Sequence, residues 1–215
     1  MKRFVQTLSF AGLCVFMVAA SASAATVTFN TNGSGTGFNG TSNLVLNSSS
    51  TLGVPATLTF IPNPNLTISV PTNVNYGIFS LLCTSCTTLA GGIGAIFPNF
   101  TFNLLITDVT DGATGRFVGT NSGNTVFRDV SQITVHWVPA QLGVGTNNAL
   151  SGNFGATSFR INQTSRIVAP NSGLNDGQTT VEGDVSSGVI PEPVTLGLVG
   201  CALVGLGLAR RKATI

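Results

Sequence analysis

Phe100-Thr101-Phe102-Asn103-Leu104-Leu105-Ile106-Thr107 is the stretch on which the fold class turns. Phe100, Phe102, Leu104 and Ile106 recur at every second position, interleaved with Thr101, Asn103 and Thr107. Successive side chains of an extended chain point to opposite faces, so this pattern predicts a strand with one face in a core and the other toward water. A helix would need apolar residues three and four apart, and no window between Ala25 and Ile190 keeps that period.

The alternation recurs to either side. Val27 and Phe29, Leu44 and Leu46, then Ala56, Leu58 and Phe60, and Leu66, Ile68 and Val70 each stand among polar neighbours that are mostly Thr, Asn or Ser. Residues 76–82 (YGIFSLL) also read as a strand. Further on, Ile133, Val135 and Trp137 alternate with Thr134 and His136, and Phe159 and Ile161, then Val181 and Val185, continue the pattern. Asn63-Pro64-Asn65, Asp111-Gly112 and Asn175-Asp176-Gly177 supply turn chemistry between the runs. Residues 116–120 and 125–129 read as one hairpin closed by Asn121-Ser122-Gly123-Asn124, and the glycines of 33–37 as a flexible loop. About ten to twelve short strands, each with one apolar face, predict an all-β, antiparallel two-sheet sandwich of jelly-roll-like form over residues 25–185.

Composition fits that picture. The 215 residues are 43% hydrophobic and only 7% charged, which suits an extracellular β protein or a membrane protein rather than a cytosolic domain, where about a quarter are charged. Between Ala25 and Ile190 four arginines (116, 128, 160, 166) face six acids (Asp108, Asp111, Asp129, Asp176, Glu182, Asp184), a net −2, so the +2 of the whole chain comes from its ends. No basic patch is available to hold phosphates, which disfavours nucleic acid as a partner.

Both ends read as targeting segments. Met1, Lys2 and Arg3 precede the apolar run 10–20 (FAGLCVFMVAA), and Ala22-Ser23-Ala24 offers small residues to a signal peptidase. Residues 1–24 are therefore expected to be a signal peptide cut between Ala24 and Ala25. A lipoprotein anchored through Cys14 is the alternative, but Leu13 stands where that signal wants a small residue. Near the other end, residues 194–209 (VTLGLVGCALVGLGLA) carry no charge. As a helix they would extend about 24 Å, enough to cross a membrane with snorkelling flanks. Arg210, Arg211 and Lys212 follow at once, so the positive-inside rule leaves the C-terminus in the cytoplasm and everything before Val194 outside.

Pro191-Glu192-Pro193 sits immediately before that run, after a linker expected at residues 186–190. The ordered triple of Pro-Glu-Pro motif, short apolar helix and basic tail, covering residues 191–215, resembles the PEP-CTERM sorting signal. The resemblance implies recognition and cleavage by a membrane protease of the exosortase type and delivery to the surface of a Gram-negative cell, commonly one that makes exopolysaccharide. It gives Pro191, Glu192 and Pro193 recognition roles rather than catalytic ones.

Of four cysteines, Cys14 and Cys201 lie in the two ends, leaving Cys83 and Cys86. Outside the cell such a pair is expected to be oxidised. A thioredoxin-like site would need the pair to open a helix after a strand, whereas Cys83-Thr84-Ser85-Cys86-Thr87-Thr88 reads as a loop, so a structural disulfide is favoured. With one histidine in the chain, the pair cannot complete a four-ligand zinc site.

Little else carries chemistry. His136 falls on the polar face of its strand, in phase with Thr134, and no G-x-S-x-G accompanies it. Asp108 and Asp111 sit at a strand end and a turn, where Asp caps its own backbone, and Glu182 and Asp184 alternate outward from Val181 and Val185. Either set could in principle serve glycoside hydrolysis or calcium, yet neither shows EF-hand spacing. Gly92-Ile93-Gly94 lacks the third glycine and helix of a phosphate loop. Trp137, in phase with Ile133 and Val135, belongs to the core, while Tyr76 could be exposed as a glycan platform. The expectation is a non-enzymatic surface or matrix protein with no catalytic residues, cofactor or metal. It is held in the inner membrane only until it is sorted, then associated with extracellular polysaccharide or biofilm. A carbohydrate-binding module and a secreted hydrolase are the alternatives.

Overall fold

The computed structural model describes residues 25–49, 53–138, 151–171 and 177–187, with backbone alone at 151–154. In chain order the strands are β1 (Thr26–Asn30), β2 (Gly37–Phe38), β3 (Val45–Asn47), β4 (Thr57–Pro62), β5 (Leu66–Ser69), β6 (Thr72–Leu82), β7 (Ala95–Ile96) and β8 (Thr101–Asp108). They continue as β9 (Thr114–Ser122), β10 (Thr125–Val126), β11 (Thr134–Val138), β12 (Ser151–Phe154), β13 (Thr157–Ile161), β14 (Thr164–Arg166) and β15 (Gln178–Ser187). Among the described residues the sole helical turn is a 3-10 turn at Leu89–Gly91.

The strands build two curled antiparallel sheets, a sandwich-like β fold. The first runs β14-β11-β9-β8-β1-β5, with β2 added beside β8; the second runs β12-β13-β15-β6-β4-β3. Residues 100–107 form the axis of the first sheet: β8 pairs with β9 from Thr101, facing Thr120, to Thr107, facing Thr114. Its even positions point inward, so Phe102, Leu104 and Ile106 are fully buried.

Inward side chains of both sheets meet in one aromatic core. The Phe102 ring lies 4.7 Å from Phe60, 5.0 Å from Phe79 and 4.9 Å from Phe38, joining β8 to β4, β6 and β2. Phe29 contacts Tyr76 and Phe159 edge-on at 5.7 and 5.6 Å, tying β1 to the second sheet. Such pairs contribute about 0.5–1.5 kcal/mol each beyond the area they bury.

Three expectations need correction. Thr125 and Val126 do not fold back on residues 116–120: β9 continues to Ser122 between β8 and β11, and β10 pairs instead with Ala95 and Ile96 of β7. β9 already has β8 on one edge and β11 on the other, so no edge of it is left for β10, which forms a separate two-stranded sheet with β7. The glycine-rich segment at 33–37 is bonded to β8, with Thr36 Oγ1 accepting from the Leu105 amide at 3.0 Å. Finally, β15 pairs Ser186 with Ser158 and Ser187 with Thr157, so the last strand covers two residues expected in the linker.

Candidate functional site

Antiparallel pairing of β6 with β15 slips by one residue: Val181 faces Gly77 but Glu182 faces Asn75, leaving Tyr76 as the extra residue of a β-bulge. Gly77, at φ 148°, accommodates the bend. The slip restores the inward phase on both sides, Val74 before it and Phe79 and Leu81 after it. Tyr76, expected at an exposed strand start, is therefore fully buried against Phe29. Its hydroxyl donates toward the backbone carbonyls of Arg160 (2.9 Å) and Asp184 (3.0 Å). Burial, with the Asp184 charge secondary, raises the phenol well above its ordinary range, while the bond to the Arg160 carbonyl opposes this.

Gly183 makes room for that reach. A methyl group there would stand 1.9 Å from the Arg160 carbonyl oxygen and 2.7 Å from the Tyr76 ring.

On the outer side of the bulge, three neighbouring strands bring polar side chains into two rows. Asn73, Asp184 and Arg160 stand side by side on β6, β15 and β13. In the next row, Asn75 faces Glu182, whose carbonyl accepts from the Asn162 amide just beyond β13. Five polar residues, Asn73, Asn75, Asn162, Glu182 and Asp184, line a solvent-open hollow of about 320 Å³ together with Val74 and Gly183. Thr180 Oγ1 donates to Glu182 Oε1 at 2.8 Å, and Asn75 Oδ1 accepts from the Gly77 amide at 2.8 Å, which fixes two of the five side chains. Arg160 Nη1 approaches Asp184 Oδ2 at 3.9 Å, an exposed pair of little energetic weight.

Other residues singled out by the sequence fall elsewhere. Cys83 and Cys86 form a disulfide at the end of β6, and the loop after it carries exposed Leu89 and Ile93. Trp137 is buried, its Nε1 donating to Ser165 Oγ at 3.0 Å. His136 is exposed and shares a 2.6 Å hydrogen bond between Nε2 and Ser122 Oγ; among the described residues no carboxylate orients the ring, so the pair is a cross-strand contact. Asp108 points inward and is buried, with Oδ1 accepting from the Thr110 amide at 2.9 Å. Asp111 uses both oxygens, accepting from the amides of Ala113 (3.0 Å) and Ala156 (2.9 Å), and so ties the β8–β9 turn to the β12–β13 turn. Asp108 Oδ2 is buried without a hydrogen-bond partner among the described residues. Among the described residues no three His, Cys, Asp or Glu side chains gather as metal ligands, and no helix is long and apolar enough to cross a membrane. Ala24, Pro191, Glu192, Pro193, Arg210, Arg211, Lys212 and the apolar run 194–209 lie outside the described residues.

Glu182 and Asp184 were legible as outward-facing acids. Their neighbours Asn73, Asn75, Arg160 and Asn162 carry no local signal, because only the pairing of β6, β15 and β13 assembles them. No family model matches the chain, and neither a curated protein nor a solved structure matches it.

Proposed function

We propose that this chain is an exported, non-enzymatic protein of the surface or extracellular matrix of a Gram-negative bacterium. Its β unit, a jelly-roll-like sandwich, is made with a signal peptide at residues 1–24 and a sorting signal at 191–215. Signal peptidase cuts between Ala24 and Ala25. An exosortase-type protease then acts at Pro191-Glu192-Pro193, removing the membrane helix 194–209 with the basic tail Arg210, Arg211 and Lys212. The mature protein is associated with exopolysaccharide or biofilm.

The Cys83–Cys86 bridge is the observation that supports this reading most. Structural disulfides persist in oxidising compartments and are rare in the cytosol. The polar outer faces, rich in Thr, Asn and Ser and poor in charge, agree with a protein that meets a hydrated matrix. Replacing Pro191, Glu192 and Pro193 together with alanine tests the sorting step. The variant should stay in the membrane fraction of its producing cell while the unaltered chain leaves it; release of both to the same extent would remove the sorting role.

A further inference from the structure

The hollow above Tyr76 has the chemistry of a sugar subsite, and we propose that it binds one unit of a neutral, hydroxyl-rich polysaccharide. This deepens the extracellular reading and rests on it for where the ligand is met.

Vicinal hydroxyls each donate and accept a hydrogen bond, and the hollow offers both halves of that pattern. The carboxylates of Glu182 and Asp184 are acceptors only; the carboxamides of Asn73, Asn75 and Asn162 supply N–H donors beside them. Bonds to the ionised groups are the stronger ones. About 320 Å³ lies at the small end of the ~300–1,000 Å³ typical of ligand sites, which suits a sugar unit rather than a long segment.

Charge narrows the ligand. Two carboxylates stand against one arginine, which already faces Asp184, so a uronate, sulfate or phosphate would meet repulsion. A neutral sugar meets none.

Rigidity supports the same assignment. All five polar lining residues stand on or beside paired strands, Thr180 holds Glu182, the Gly77 amide holds Asn75, and the Tyr76 hydroxyl secures the backbone of Arg160 and Asp184 from below. The backbone and two of the side chains are thus held in place before binding, which lowers the ordering cost for those groups.

The test uses the full 215-residue chain in mild detergent, applied to immobilised glucan, mannan and galactan, with alginate as the uronate polymer, in EDTA and in calcium buffer. At least one neutral polymer should bind in EDTA, and alginate should not. Glu182→Ala and Asp184→Ala should each weaken binding about tenfold, the effect of removing a hydrogen bond to a charged group. Glu182→Gln keeps the side-chain shape and should weaken it less, while Ser122→Ala on the other sheet should leave it unchanged. Unfolding midpoints matching the parent chain establish that the variants are folded. Absence of neutral-polymer binding, preference for alginate, binding that requires calcium, or unchanged binding by folded Glu182 and Asp184 variants would each overturn the proposal. The purified chain reports on binding whether or not cells export it, so failure here is separate from failure of the export reading.

Discussion

The Tyr76 hydroxyl reaches the carbonyl of Arg160 at 2.9 Å although their strands do not pair: β15 lies between β6 and β13, and the ring passes beneath Gly183 to bridge them. One side chain thus links three strands under the polar hollow. Removing its hydroxyl in Tyr76→Phe should cost about 1–2 kcal/mol. For a unit of this size the thermal midpoint should fall by roughly 3–6 °C, which calorimetry reads directly.

Alkaline pH probes the same group. The buried phenol is raised above its ordinary value of 10.0, so the neutral form is favoured in the folded chain. Its contribution is fully present below the unfolded value and is lost as pH rises above about 10, where the unfolded chain releases the proton and the folded chain does not. Tyr76 is the only tyrosine. Phenolate absorbance should therefore appear together with cooperative unfolding; a simple titration near pH 10 with the fold intact would contradict its burial.

Gly183→Ala should be among the most damaging single-methyl changes in the chain. The new methyl would meet the Arg160 carbonyl oxygen at 1.9 Å, and a backbone atom held in a sheet cannot move aside as a flexible side chain does. A loss of about 3 kcal/mol is expected from denaturant unfolding, against about 1 kcal/mol for Gly40→Ser, where no atom lies within 4 Å. The cost at Gly40 is the backbone strain of its positive φ (74°) alone, with no steric clash added.

Reduction of Cys83–Cys86 should weaken the protein without unfolding it. The bridge closes a loop with a sequence separation of only 3, for which the chain-entropy account gives about 2 kcal/mol. A double Cys→Ser variant should keep the β-rich circular dichroism spectrum of the parent; collapse of that spectrum would make the bridge a requirement of the fold.

Ser122→Ala and His136→Ala should each change stability by no more than about 0.5 kcal/mol, because both side chains are exposed and share only one cross-strand hydrogen bond. A fluorophosphonate probe should leave Ser122 unlabelled. Labelling lost in His136→Ala would point to a hydrolase instead.

Strand identity was legible wherever one period held. The alternation at Phe102, Leu104 and Ile106, and at Val135 and Trp137, is the buried pattern observed. It failed at Tyr76, where a bulge adds a residue and flips the phase; the sole local sign is Gly77 inside an apolar run. It failed also at Thr125 and Val126, whose partners Ala95 and Ile96 are some thirty residues away in the chain and could not be found from neighbours. Sites built across strands share that limit: two acids were visible as outward-facing, but the Asn73, Asn75 and Asn162 carboxamides beside them depend on register alone.

Intact mass of the protein recovered from outside its producing cells, before and after reduction, tests the central claim most directly. The account predicts a chain that begins at Ala25, ends near Pro191 and gains a pair of hydrogens when the Cys83–Cys86 bridge opens. A mass that still includes residues 194–215 would contradict it, making the chain a permanently anchored membrane protein.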